Sequence, residues 1–70
     1  MKNTNLIIAR MKLGLTSSQL AERVGITRQT MYLIENGKYN PSLKICVTIC
    51  KALGKTLNEL FWEDSQNEEK

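Results

Sequence analysis

The sequence contains no histidine and only two cysteines, and acidic residues are few before its last twelve positions. Without histidine, the chain lacks the commonest general base, the commonest metal ligand and the usual partner of a nucleophilic serine. Cys46 and Cys50 cannot by themselves complete a four-ligand zinc site. Composition therefore argues against an enzyme, and we expect neither a metal site nor a cofactor.

Long hydrophobic runs are also missing. No unbroken apolar run exceeds the four residues Leu6–Ala9, whereas a membrane-spanning helix needs about 20. We therefore expect a soluble, cytoplasmic protein with no membrane segment. The 70 residues suffice for one small domain, and a content of 41% hydrophobic and 24% charged residues is ordinary for a globular one.

Positive and negative charge are separated along the chain. Residues 1–58 hold nine lysines and arginines against two acidic residues, Glu22 and Glu35, a net charge of +7. Residues 59–70 hold one lysine against five acidic residues, a net charge of −4. A basic body favours a polyanionic partner. Charge alone is equally compatible with a basic surface that contacts only water.

Glycine and threonine mark the ends and beginnings of helices. All four glycines stand where a helix should end, and three are followed two residues later by threonine, at Thr16, Thr27 and Thr56. Glycine readily adopts the left-handed conformation that ends a helix, and threonine caps the free N–H groups of the next. Thr16 and Thr56 each begin a capping-box pattern. The spacing predicts helices near residues 5–13, 17–24, 28–36, 43–53 and 57–62.

The distribution of apolar residues agrees with an all-α fold. In the fourth predicted helix, Lys44, Thr48 and Lys51 fall within an arc of roughly 60°, at about 100° per residue, and the other side chains are apolar. Such a helix is expected to form the buried centre of a domain. The sequence thus predicts a compact five-helix bundle over residues 1–62. An acidic C-terminal tail, residues 63–70, is expected to be flexible.

The third predicted helix differs from an ordinary surface helix. Met31 and Ile34 point inward, while the outward face carries polar and basic groups with almost no acid: Arg28, Gln29, Tyr32, Leu33 and Asn36. Arginine can bond bidentately to guanine, and glutamine to adenine, in the major groove of DNA. This face is therefore the candidate surface for reading bases.

The segment from Leu15 to Lys38, LTSSQLAERVGITRQTMYLIENGK, resembles the helix-turn-helix of the lambda and 434 repressor/Cro group, also called the xenobiotic-response-element family. The likeness continues through Asn40–Leu43 and Ala52–Gly54 and covers about residues 5–61. Leu-Ala-x-x-x-Gly followed by Ile-Glu-Asn-Gly-Lys is far more specific than a generic pair of helices. The resemblance implies a helical DNA-binding domain. A small bundle with no DNA role is the alternative.

The resemblance also implies roles for individual residues. Arg28, Gln29 and Tyr32 match positions that face bases in the family, and we add Leu33 from the same face. Phosphate contacts are implied for Ser17, Ser18, Gln19, Thr27, Asn36, Lys38 and Asn40. Arg10 and Glu35 match a pair that joins the first helix to the third, and a direct contact of Arg10 with phosphate is compatible with that pairing.

Two positions depart from the family pattern. Tyr32 is bulkier than the serine common at its position, and Leu33 stands where relatives often place a polar residue. Leu33 either touches a thymine methyl group or is a tolerated apolar surface residue. The operator sequence therefore cannot be copied from a relative.

Cys46 and Cys50 lie four residues apart on the predicted buried helix. We expect both to pack in the core, because free cysteine behaves as a small hydrophobic residue and a disulfide within one helix has poor geometry. A thiol-based sensor of oxidation or metal is the alternative.

Apolar residues in excess of one core stripe indicate a self-association surface. Ile7 and Ile8 extend the apolar face of the first helix, and Phe61 and Trp62 end the last one. Phe61 and Trp62 are the candidates for a dimer interface. The alternative is that Trp62 only covers the core of its own domain.

These features predict a sequence-specific regulator of transcription that binds double-stranded DNA. We expect a repressor that binds a palindromic operator as a homodimer, with its two recognition helices one helical turn apart. A separate domain for a small-molecule ligand is not expected. The main alternative is an antitoxin-type or other protein-interaction module in which DNA binding is secondary.

Overall fold

The computed structural model describes residues 2–62, all of whose regular structure is helical. Four α-helices are followed by one short π-helical segment: α1, Thr4–Lys12; α2, Ser17–Val24; α3, Arg28–Glu35; α4, Leu43–Leu53; and the π-turn, Asn58–Trp62. The predicted all-α class with five helical segments is confirmed. The predicted acidic tail, residues 63–70, lies outside the described residues, as does the side chain of Trp62.

Helix boundaries follow the prediction closely: both ends of α1, the end of α3 and the start of the last segment each differ from it by one residue. α1 begins one residue earlier than predicted because the Asn3 side chain caps it, accepting a hydrogen bond from the Leu6 N–H at 3.1 Å. α3 ends at Glu35, and Asn36 is its C-cap rather than its last residue. The last segment is a wider π-helical turn instead of the expected ordinary helix.

Both predicted capping boxes form. The Gln19 N–H donates to Thr16 Oγ1 at 3.1 Å, and the Thr16 N–H donates to Gln19 Oε1 at 2.8 Å. Thr56 and Glu59 repeat this arrangement, with distances of 3.2 and 2.8 Å. The bond from the Thr56 backbone N–H lowers the pKa of the Glu59 carboxyl, because it stabilises the ionised form. These local bonds explain why α2 and the π-turn begin where they do.

The hydrophobic core joins all five helical segments. Its buried members come from each segment in turn: Leu6, Ala9, Leu20, Ala21, Met31, Ile34, Ile49, Cys50, Leu53 and Leu60. α2 lies at the centre of the packing, with α3 and α4 against it, while α1 contacts α3 and the π-turn. The position of α3 is therefore set mainly by α2.

The predicted central role of α4 is wrong in part. Its buried residues, Ile49, Cys50 and Leu53, all lie in its second half, while Leu43 at its start is 62% exposed. The principal neighbour of α4 is α2, and one neighbouring helix covers only one face. The buried centre of the domain is α2 together with the inner faces of α3 and α4.

The two cysteines differ in burial. Cys50 is buried, whereas Cys46 is half-buried, so only Cys50 is a full member of the core. Burial raises the pKa of both thiols because it disfavours the charged thiolate. Less thiolate at neutral pH means slower reaction with oxidants, which is the opposite of what a redox sensor requires.

Candidate nucleic-acid interface

α3 presents a polar face on the side opposite its buried residues. Met31 and Ile34 are buried, while Arg28, Gln29 and Tyr32 are exposed. Within residues 2–62, neither the Arg28 nor the Gln29 side chain has a hydrogen-bond partner, so their side-chain donors and acceptors are available to a ligand. The outward orientation predicted for these three side chains is the one observed.

Leu33 occupies the edge of this polar face. Its side chain is half-buried, so only part of it is available to a partner. Its backbone carbonyl accepts a hydrogen bond from the Lys38 N–H at 2.8 Å. That bond folds the segment after α3 back onto the end of the helix.

A short turn joins α2 to α3 and fixes the start of the polar face. Gly25 ends α2 with a left-handed φ of +87°, a conformation that costs glycine little. Ile26 is half-buried and packs against the core. Thr27 then caps α3, accepting from the Thr30 N–H at 3.1 Å and donating to Thr30 Oγ1 at 2.9 Å. The exposed Thr27 hydroxyl thus serves as a cap.

The predicted phosphate-contact residues at the start of α2 fall into three different environments. Ser18 is exposed, and its hydroxyl has no partner within the described residues. Gln19 is also exposed, but its side-chain oxygen is engaged in the capping box with Thr16. Ser17 is half-buried, and its hydroxyl donates to Glu35 Oε1 at 2.9 Å. Of the three hydroxyl and amide oxygens, only that of Ser18 is unengaged.

The loop after α3 supplies the remaining candidates. Lys38 and Asn40 are exposed, and the Lys38 side chain has no ion-pair partner within residues 2–62. Asn36 is half-buried, and its side-chain N–H donates to the Tyr32 carbonyl at 2.8 Å. The loop therefore offers one unpaired cation next to the end of α3.

Glu35 is the one buried charged residue in the described part of the chain, and Arg10 is paired with it. Arg10 Nε donates to Glu35 Oε2 at 2.9 Å and Nη2 donates to Oε1 at 3.3 Å. Arg10 Nη1 donates to the Leu15 carbonyl at 2.8 Å. The Arg10 side chain is only 13% exposed, so little of it is left for a phosphate.

Sequence reasoning missed two members of this buried network. It assigned Ser17 to phosphate and gave no role to the Leu15 carbonyl, yet both contact the Arg10–Glu35 pair. The Glu35 carbonyl also accepts a hydrogen bond from the Asn3 N–H at 2.7 Å. No sequence signal indicates these bonds, because they depend on how three helices are placed in space.

The surface charge of the described residues is strongly basic. Residues 2–62 contain nine lysines and arginines against three acidic residues, and the charge of Glu35 is balanced by Arg10. No group of three or more histidine, cysteine, aspartate or glutamate side chains that could hold a metal ion occurs in this part of the chain. None of its helices is long and apolar enough to cross a membrane.

The predicted dimer candidates are only partly visible in the structure. Phe61 is half-buried and packs against the core, and the side chain of Trp62 is outside the described set. Large hydrophobic side chains that are clearly exposed lie elsewhere: Ile8, Met11, Leu13, Tyr32, Tyr39 and Leu43. Phe61 therefore contributes to its own domain whatever else it contacts.

The pair formed by α2 and α3, joined by a tight turn and with a polar outward face on α3, is a helix-turn-helix. Comparison with known proteins agrees, since a family model described as helix-turn-helix matches residues 6–60. The uncharacterized HTH-type transcriptional regulator YgzD of Bacillus subtilis is 41% identical over 58 residues, covering 83% of this chain and 88% of the relative. No solved structure matches the chain significantly.

Two archaeal proteins extend this likeness. An uncharacterized HTH-type transcriptional regulator of Methanothermobacter thermautotrophicus is 54% identical over 46 residues, covering 66% of this chain and 67% of the relative. An uncharacterized HTH-type transcriptional regulator of Methanocaldococcus jannaschii is 43% identical over 54 residues, covering 76% of this chain and 82% of the relative. The chain belongs to the helix-turn-helix family of the Cro/C1, or xenobiotic-response-element, type. This is a family of DNA-binding transcription regulators and is not typically enzymatic.

Proposed function

We propose that this protein is a sequence-specific repressor of transcription that binds a palindromic DNA operator as a homodimer. The observation that carries the proposal is the outward face of α3, where Arg28, Gln29 and Tyr32 are exposed and the first two have no partner within residues 2–62. Membership of a DNA-binding family supports it. As a regulator acting on DNA, the protein would work in the cytoplasm.

In the docking geometry of this family, the second helix of the motif enters the major groove and the first crosses the backbone. Here α3 would place Arg28, Gln29 and Tyr32 against base edges, with Leu33 beside them. Phosphates would be contacted from both ends of α3 and from α2, by Ser18, Gln19, Thr27, Asn36, Lys38 and Asn40. The first-turn N–H groups of α2 favour an anion as well.

A homodimer would bring two such faces to successive major grooves. Half-sites one turn apart require the two α3 helices to be separated by roughly 34 Å, related by a two-fold axis. Phe61 and Trp62 remain our candidates for the interface that sets this spacing. Sedimentation of the protein with and without operator DNA would give the number of chains in each complex.

The experiment that tests the proposed function is selection of bound sequences from random duplex DNA at near-physiological salt. Enrichment of one symmetric motif is the expected result and would define the operator and its half-site spacing together. A single unpaired half-site would keep the DNA role and contradict the symmetric dimer. Salt-sensitive binding without enrichment would contradict a sequence-specific regulator, since phosphate contacts alone carry no sequence information.

Replacement of Arg28 tests which helix reads the bases. Arg28→Ala should weaken operator binding by about 1–3 kcal/mol and relax the preference at one base position. The matched control is Lys38→Ala, which should weaken all sequences alike and reduce the salt slope by about one. Fluorescence anisotropy titrations over a range of salt concentrations measure both quantities. If Arg28→Ala left affinity and base preference unchanged, α3 would not be the recognition helix.

A protein-interaction role in which DNA binding is secondary is the alternative, as for an antitoxin. Ile8, Met11 and Leu13 favour it, because they leave large apolar side chains exposed on and just after α1. A stoichiometric protein partner together with an absence of enriched DNA sequences would support this alternative.

A further inference from the structure

Ser17 has a role in the helix-turn-helix that its place in the sequence does not indicate. It is the first residue of α2 and Glu35 is the last residue of α3, and the Ser17 hydroxyl lies 2.9 Å from Glu35 Oε1. We propose that Ser17 is a positioning residue, which sets the angle between α2 and α3 through Glu35 and does not bind phosphate. This inference rests on the proposed function.

The chemistry of the hydroxyl group supports this assignment. A serine hydroxyl has one proton to donate, and both an ionised carboxylate and a phosphate only accept. The proton of Ser17 is used in the bond to Glu35, so the same hydroxyl cannot simultaneously donate to a DNA phosphate. The neighbouring Ser18 is exposed and has no partner for its hydroxyl within residues 2–62. Ser18 is therefore the matched control.

The location of the bond explains why it controls an angle. The turn Gly25–Thr27 joins the C-terminal end of α2 to the N-terminal end of α3, whereas the Ser17–Glu35 bond joins the opposite ends of the two helices. An eight-residue helix is about 12 Å long, so a tilt of about 5° around the turn would move Ser17 by about 1 Å. Directed along the bond, that movement would lengthen the 2.9 Å separation to about 3.9 Å, beyond hydrogen-bond distance.

The Glu35 carboxylate is itself held in place by other hydrogen bonds, so its bond to Ser17 can fix the position of α2 relative to α3. Arg10 donates to both of its carboxylate oxygens, and the Arg10 Nη1 is anchored on the Leu15 carbonyl two residues before Ser17. The carboxylate therefore fixes α1, the start of α2 and the end of α3 relative to one another. Within residues 2–62, loss of the Ser17 hydroxyl removes the one side-chain hydrogen bond of this network that joins α2 directly to α3.

The test compares Ser17→Ala with Ser18→Ala on the selected operator and on random duplex DNA, at a temperature where circular dichroism shows every variant to be folded. Ser17→Ala should lower the affinity for the operator about tenfold, which is part of what one hydrogen bond to a charged group contributes. It should lower the affinity for random duplex DNA less than twofold. Ser18→Ala should lower both affinities alike, as expected for a phosphate contact. Ser17→Thr retains the hydroxyl and should restore the operator affinity.

The outcomes separate this inference from the proposed function. If Ser17→Ala lowered the affinity for both DNAs equally, or for neither, the positioning role would be overturned. The preference of the wild-type protein for the operator would be unaffected by that result. If wild-type protein did not prefer any operator, the proposed function would fail. In that case urea unfolding still tests the bond to Glu35. Ser17→Ala should raise the unfolding equilibrium constant about tenfold, and Ser18→Ala should leave it unchanged. Equal unfolding equilibrium constants for the two variants would overturn the inference.

Discussion

Arg10→Ala should lower the free energy of unfolding by about 3–5 kcal/mol, the usual cost of breaking a buried ion pair from one side. The substitution leaves Glu35, which is 4% exposed, without its cation. It also removes the donor that satisfies the Leu15 carbonyl. A domain of this size has a total stability of about 4–10 kcal/mol, so a large fraction of the protein should unfold at moderate temperature.

Urea unfolding followed by far-ultraviolet circular dichroism measures this loss. Arg23→Ala is the matched control, because Arg23 is exposed on α2 and makes no ion pair within residues 2–62; it should change the free energy by at most about 0.5 kcal/mol. Adding Glu35→Gln to Arg10→Ala should restore part of the stability, since no unpaired buried charge remains. A loss below about 1 kcal/mol for Arg10→Ala would contradict the buried pair as a determinant of stability.

The helix boundaries could be predicted because their signals are local. Thr16 and Thr56 bond to groups three residues away, and Gly25 and Gly54 end helices through their own backbone conformation. Sequence spacing is sufficient to show such features. The Asn3 cap of α1 is equally local, and its effect was a shift of one residue.

The burial of α4 could not be predicted in the same way. The apolar content of that helix indicated burial over most of its circumference, but Cys46 is only partly covered and Leu43 is largely exposed. Burial depends on which neighbours a helix has, and α4 has one principal neighbour, α2. Helical periodicity identifies an apolar surface but not the element that covers it.

In the candidate site, too, local features could be predicted from the sequence, and contacts between helices could not be predicted from spacing. Arg28, Gln29 and Tyr32 could be placed outward because the period of α3 puts Met31 and Ile34 inward. The contact between Arg10 and Glu35 joins residues 25 apart, and spacing alone gives no reason to expect it; the family resemblance suggested it. The bond from Ser17 to Glu35 had neither signal, because it depends on the packing of α2 against α3.

Met31→Ala should lower the free energy of unfolding by about 2–5 kcal/mol, as large-to-small substitutions in a core usually do. The Met31 side chain is fully buried in the core, whereas Arg28 and Tyr32 on the same helix are exposed. Its removal leaves a cavity beneath α3, at the place where this helix packs on the rest of the domain. Both the stability of the fold and the support of the polar face should therefore be reduced.

The matched control is Met31→Leu, which keeps the volume nearly constant and should cost less than about 1.5 kcal/mol. Urea unfolding gives the free energies, and operator titration at a temperature where both variants remain folded gives the effect on DNA binding. We expect Met31→Ala to weaken operator binding although the Met31 side chain is fully buried, because a cavity lets α3 shift on α2. Equal stability of the alanine and leucine variants would show that Met31 does not anchor α3 in the core.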